Sequence, residues 1–405
     1  MSDELASFTL APGFHALATA CGLKKNGALD LALVTSATPC SAAGVFTTNR
    51  VKAAPVLYDQ AVLQRNSAGI RAVIVNAGNA NACTGPRGME DCRATAALTA
   101  DRLGCATDAV LVLSTGVIGR HLDMARLSAG VAALTATPSA VQPGAAAAAR
   151  AIMTTDTRPK VAHHRYALAG GQVTIAGMCK GAGMIHPAMA TMLAIVTTDA
   201  VIAPALLDRA LRHAADRSFN RISVDGDTST NDTLLLLASG SSGVVIGDAE
   251  LAAFSEALGE TCAALARQVA RDGEGATRLI EVRVTGAADD AEAHQVANAI
   301  ARSPLFKTAV HGGDPNWGRV LCAAGYSGAE IDPATLALWF GVGAHQIALV
   351  AGGLPLAADL AAASRLLRQD PVIITLDLGR GTAATTVWTC DFSKEYVEIN
   401  AHYTT

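Results

Sequence analysis

The chain has 405 residues, 51% of them hydrophobic and only 16% charged, with a formal net charge of −4. That length exceeds one small core and points to two or three domains or layers. The slightly acidic balance gives no electrostatic footing for nucleic acid or an anionic membrane, and the sparse charge suits an oligomer that covers part of its surface.

Taken in chain order, the N-terminus Met1-Ser2-Asp3-Glu4-Leu5 is acidic and lacks the basic start of a secretory signal. Residues 72–75 and 110–113 read as short buried strands, and 93–103 between them is helix-compatible. An alanine-rich helix is expected over 145–153, then strands over 172–176 and 193–196 on either side of a glycine-rich run. Leu207, Leu211 and Ala214 recur at helical spacing in 204–217. Leu251, Phe254, Leu258, Leu265 and Val269 mark a long amphipathic helix that ends before Asp272-Gly273. Ile280, Val282 and Val284 alternate with Glu281 and Arg283, a half-buried strand. Residues 333–358 carry no charge and exceed the roughly 20 residues of a membrane span. Gly341, Gly343, Gly352, Gly353 and Pro355 interrupt that stretch, so buried strand and turn is expected instead. Val372, Ile374, Leu376 and Leu378 alternate, and Gly379-Arg380-Gly381 then suggests an antiparallel hairpin with 382–389. Strands mixed with helices point to an α+β fold, or mixed α/β layers. Neither a dinucleotide fingerprint nor a phosphate loop is present.

Nine cysteines are scattered with no CxxC pair. An odd, unpaired set argues against a zinc site or a disulfide framework and for a reducing cytoplasm. Cys179, beside Lys180, reads either as a low-pKa thiol or, more simply, as a small buried hydrophobe.

Chemistry concentrates in polar clusters that follow apolar strands. In Lys180-Gly181-Ala182-Gly183-Met184-Ile185-His186-Pro187-Ala188-Met189-Ala190-Thr191, a glycine-rich run with one lysine leads to a threonine. A threonine hydroxyl is a weak nucleophile until a base sits beside it. Cutting the chain at Ala190–Thr191 would supply that base as the new α-amino group, with an ordinary pKa of about 7.7–8.0. The plain alternative is a strand threonine after a loop. Ser114-Thr115-Gly116 could place a hydroxyl and an amide on a developing oxyanion, or be an ordinary turn. Thr154-Thr155-Asp156-Thr157 could cap a helix or bind a ligand. Glu274, between Gly273 and Gly275, is expected to be exposed and suited to an ammonium group. Asn76-Ala77-Gly78-Asn79-Ala80-Asn81 reads as a turn set or a hydrogen-bond hub. The run from Asp225 to Asp232 lacks the spacing of a calcium loop, and structural hydrogen bonding near the site is expected there. His311-Gly312-Gly313-Asp314-Pro315-Asn316-Trp317 is expected to be a turn with a packed tryptophan. The tail from Glu398 to Thr405 is compact and polar.

Together, and in this order, these clusters resemble the ornithine acetyltransferase / glutamate N-acetyltransferase (ArgJ) family of arginine biosynthesis. The resemblance runs from Asn76 to Thr405, and more loosely from the first residues. It implies an ArgJ/DmpA-like αββα sandwich that cuts itself into an α chain, 1–190, and a β chain, 191–405, assembled as α2β2. It implies Thr191 as nucleophile and Thr115 and Gly116 as the oxyanion hole. Thr154, Lys180, Thr191, Glu274, Asn400 and Thr405 would contact the substrate. The reaction implied is acetyl transfer from N2-acetyl-L-ornithine to L-glutamate through an acetyl-threonine, with no cofactor and no metal. Acetyl-CoA as a co-substrate stays open, since no phosphate motif speaks for or against it. A cytoplasmic enzyme without nucleic-acid or membrane partners is expected. Ala188 departs from the asparagine common after Pro187 in the family. The alternative reading is a self-processing amidase or aminopeptidase that passes the acyl group to water.

Overall fold

The structure is a computed structural model and describes residues 5–136, 142–186 and 192–402. Its architecture follows from strands that are apolar on both faces, because such a strand must be covered on both. Ala176, Met178, Leu193, Ile195, Leu235 and Leu237 enter one apolar cluster, shared with strands Phe14–Thr19, Ile70–Asn79 and Val110–Val117. The alternate residues Ile175, Cys179, Ala194, Val196, Leu234 and Leu236 enter a second cluster with helices Pro204–Asp216 and Leu251–Arg271. Period-2 alternation thus splits each strand between two cores.

These strands belong to one nine-stranded sheet. Its hinge is the 16-residue strand Leu31–Phe46. The first part of that strand pairs with Phe14–Thr19 and Ile70–Asn79, and the last part with Thr233–Ala238, across a register shift between Thr35 and Cys40. The sheet therefore folds over, and its halves face each other across the first cluster. Helices Ala54–Asn66, Gly85–Leu103 and Met124–Thr135 cover one outer face. Pro204–Asp216 and Leu251–Arg271 cover the other, giving the αββα sandwich. A second sheet of seven strands packs on helices Asp290–Arg302, Pro304–Gly312 and Trp317–Gly325 around a third cluster.

Most expected elements are present, usually longer than periodicity suggested. The helix expected from residue 93 begins at Gly85, because Pro86 is tolerated in a first turn whose amides are free in any case. Trp317 does pack against the third cluster, but it opens a helix instead of lying in the turn before it.

One expected pairing fails. The C-terminal hairpin does not form: Val372–Asp377 and Ala383–Cys390 both pair with Leu279–Ala287, which lies between them. Leu378 N donates to Thr285 O, and the Arg380 and Gly381 amides donate to Gly286 O. The glycine-flanked bend reverses the chain as expected, but it is one strand too wide, and its donors are spent on the strand it straddles. The uncharged stretch 333–358 does form strands, Ala337–Phe340, Ile347–Ala351 and Leu354–Pro355. Leu338, Phe340, Leu349 and Val350 are buried as expected, and only the outermost strand is open, with Leu354 70% exposed at the sheet edge. No described helix is long and apolar enough to cross a membrane.

Candidate active site

The site begins where two parallel strands end together. Ile70–Asn79 and Val110–Val117 run in register, with Asn76 opposite Ser114, Ala77 opposite Thr115 and Gly78 opposite Gly116. Ser114 Oγ donates to Asn76 Oδ1 at 2.6 Å, and Asn76 Nδ2 donates to Asn79 O at 2.8 Å. The asparagine-rich run is therefore a hydrogen-bond hub. At Gly116, φ is +132° and a Cβ would stand 2.4 Å from the Gly78 carbonyl carbon, so only glycine fits. Asn231 Nδ2 ties the strand end down, donating to Ala80 O at 2.6 Å and Ser114 O at 2.8 Å.

A buried ionic network lies next to it. Lys160 Nζ stands 2.6 Å from both Asp156 Oδ1 and Asp272 Oδ2. Asp156 also accepts from Gly181 N at 2.6 Å and Thr154 N at 3.0 Å. Burial alone would push the Asp156 carboxyl up, but the charges of Lys160 and then Lys180 outweigh it and hold it well below the usual carboxylate range. Thr154-Thr155-Asp156-Thr157 therefore caps no helix. It is a loop whose aspartate bonds Lys160, feels the charge of Lys180 and accepts the start of the glycine-rich run. Burial lowers the Lys180 pKa, against the pull of Asp156. Lys180 is 2% exposed. Among the described residues its Nζ makes no hydrogen bond, and the nearby charges acting on it include Asp156, Asp232 and Glu274.

Glu274 departs from expectation. It is 8% exposed, not open to solvent. Its amide donates to Ala182 O at 2.9 Å, and Asn400 Nδ2 donates to its Oε2 at 2.8 Å. A Cβ on Gly183 would stand 2.4 Å from the Glu274 carboxyl, so glycine there lets the run lie against the carboxylate. Cys179 is buried within the second cluster, and burial pushes its thiol far up. It behaves as a small hydrophobe.

These elements enclose a cavity of about 150 Å³. Thr115, Gly116, Thr154, Lys180, Glu274 and Asn400 all line it. Ala190, Thr191 and Thr405, and with them Ala188, lie outside the described residues. The chain is held on both sides of the expected cut. Asp225 accepts from Met184 N at 2.5 Å and Ile185 N at 2.9 Å, and Asp232 Oδ1 accepts from Met192 N at 2.9 Å. The run from Asp225 to Asp232 thus supplies the hydrogen bonding expected of it. It also lines the cavity itself with Ser229, Thr230 and Asn231, a role beyond the structural hydrogen bonding near the site that was expected of the run. The signal was available: a dense hydroxyl and amide run directly before the all-apolar start of strand Thr233–Ala238. Among the described residues no cluster of three or more potential metal ligands occurs.

The ArgJ family model matches residues 15–405. The chain belongs to the ArgJ family. The match extends the resemblance almost to the N-terminus. An arginine biosynthesis bifunctional protein ArgJ from Symbiobacterium thermophilum is 50% identical over 410 residues, covering 100% of both chains. Among solved structures, a chain of the arginine biosynthesis bifunctional protein ArgJ of Bacillus halodurans is 45% identical, with a TM-score of 0.50. It covers 52% of this chain and 98% of its own length. A chain of the Mycobacterium tuberculosis ornithine acetyltransferase, solved with ornithine, is 42% identical with a TM-score of 0.39, covering 45% of this chain and 94% of its own.

Proposed function

We infer that this ArgJ-family chain is an acetyltransferase that moves acetyl from N2-acetyl-L-ornithine to L-glutamate after cutting itself at Ala190–Thr191. The carrying observation is that the six described residues expected at the site, from both sides of that cut, line one cavity. Thr191 Oγ attacks the acetyl carbonyl and its own α-amine takes the proton. The Thr115 hydroxyl and the Gly116 amide hold the oxyanion. The C–N bond then breaks, and the ornithine amine leaves with that proton. Glutamate enters, its amine attacks the acetyl-threonine ester, and N-acetylglutamate departs. Lys180 suits the substrate carboxylate, being a buried lysine that lines the cavity and whose Nζ makes no hydrogen bond among the described residues. Glu274 suits the ammonium, and Asn400 orients its carboxylate. Acetyl-CoA would serve as a second donor through the same acetyl-threonine.

The halves 1–190 and 191–405 would then be separate chains, two of each in the assembly. The Bacillus halodurans chain, matching over 98% of its length yet only 52% of this one, fits such a division. A cytoplasmic setting fits the free cysteines. Thr191→Ala is expected to run as one 41.2 kDa band on a denaturing gel and to lose transfer, where the wild type gives two bands near half that mass. An active, uncut variant would refute this reading. Release of acetate at the same rate with and without glutamate would favour the amidase alternative.

A further inference from the structure

A second cavity, of about 530 Å³, adjoins the first and shares Thr154 with it. Lys24, Lys25, Arg120 and His402 line it, and among the described residues no carboxylate does. The chain carries 31 lysines and arginines against 35 acidic residues, so a pocket lined by two lysines and an arginine with no described acidic residue is not the background of the surface. Its floor is built. A Cβ on Gly78, where φ is +105°, would stand 2.9 Å from Leu23 O, so the loop bearing Lys24 and Lys25 lies directly on the strand end. The buried Asp30 carboxylate fixes that loop from below, accepting from Cys21 N at 2.7 Å and Lys24 N at 2.9 Å. Lys24 Nζ is held by Leu29 O at 2.6 Å and Ala151 O at 3.0 Å. Asn79 Nδ2 fixes the backbone of Arg120 by donating to its carbonyl at 3.1 Å. No described carboxylate is recorded in an ion pair with Lys25 or Arg120. Gly78 and Val117, which line this cavity, lie opposite and beside Gly116 in the strand pair.

We propose that this cavity is the phosphate-binding subsite for a nucleotide-bearing acyl thioester, which donates acetyl to the same threonine. The proposal rests on the reading of Thr191 given above. A cavity of about 150 Å³ suits an acetylated amino acid but not a nucleotide. The larger basic one would take the phosphates and leave only the thioester end to enter. There the C–S bond breaks as the Thr191 Oγ–carbon bond forms, and the thiol leaves with the proton held by the α-amine. Ammonium and guanidinium groups supply the charge-assisted donors that phosphate oxygens require.

The test uses the cleaved, full-length enzyme and the double variant Lys25→Glu/Arg120→Glu, neither residue lining the acetyl-transfer cavity. With acetyl-CoA and glutamate, KM for the thioester is expected to rise about tenfold or more. Transfer from N-acetylornithine, and from the phosphate-free thioester S-acetyl-N-acetylcysteamine, is expected to stay within about twofold. Adenosine 3′,5′-bisphosphate should compete with acetyl-CoA in the wild type and not in the variant. An unchanged acetyl-CoA KM, or an equal change with the phosphate-free thioester, overturns the proposal. Inorganic phosphate competing as well as the bisphosphate also overturns it, by making the pocket a site for free phosphate. If N-acetylornithine transfer runs normally while acetyl-CoA is not used and the bisphosphate does not bind, this inference alone fails. If N-acetylornithine transfer is itself absent, the broader reading fails first.

Discussion

Asp156 carries the heaviest electrostatic duty of any residue around the cavity. It bonds Lys160, faces Lys180 and accepts the first amide of the glycine-rich run. Asp156→Asn would leave two buried lysines short of one charge. Breaking a buried pair by removing one partner costs about 3–5 kcal/mol, so a matching fall in urea stability is expected. Weaker binding of the substrate carboxylate should accompany it, because Lys180 would lose its fixing charge. Unchanged stability would show that Asp272 alone neutralises Lys160. The pH dependence has a definite sign. The folded carboxyl lies below its ordinary value, so its contribution is present above about pH 4. It is lost as the pH falls through the depressed value. Composition alone could not assign this role. Thr154-Thr155-Asp156-Thr157 has the residues of a helix cap, and only Lys160 and Lys180 brought alongside reveal a charge centre.

At the scale of elements, the site depends on fixing the end of one strand pair. Asn231 does this from a distant part of the chain, with two hydrogen bonds to buried carbonyls. Asn231→Ala would strand both acceptors, each at about 1–3 kcal/mol. A loss of roughly 2–6 kcal/mol in denaturant stability is therefore expected, together with reduced transfer, because Ser114-Thr115-Gly116 would no longer be held. Full activity with unchanged stability would remove Asn231 from this role. Element identity was largely legible, since period 2 and period 3.6 show in the sequence without any partner. Pairing was not legible. The bend at Gly379-Arg380-Gly381 specifies a reversal, but whether a third strand enters between its arms depends on Leu279–Ala287, almost a hundred residues earlier.

At the scale of the whole molecule, stability and site share the same charges. Asp225 is partly buried, and burial raises its carboxyl to about 6 despite three amides, of Met184, Ile185 and Asp227, that favour the charged form. A raised folded pKa contributes stability below the ordinary value near 4, and that stability is lost as pH rises through about 6. The wild-type denaturation midpoint, taken relative to Asp225→Asn, is expected to fall between pH 4 and pH 7. A difference that stays flat with pH would contradict it. The sequence by itself determined the kinds of element, the mixed architecture and, through the order of its polar clusters, the family and its candidate residues. It could do so because side-chain periodicity and local motifs are written along the chain. Tertiary structure alone decided that Glu274 is buried, that Ser229 to Asn231 join the cavity, and that Asp156 faces two lysines. It also decided that a basic cavity opens behind Gly116. Burial and charge pairing depend on what packs alongside, and those partners come from segments far apart in the chain.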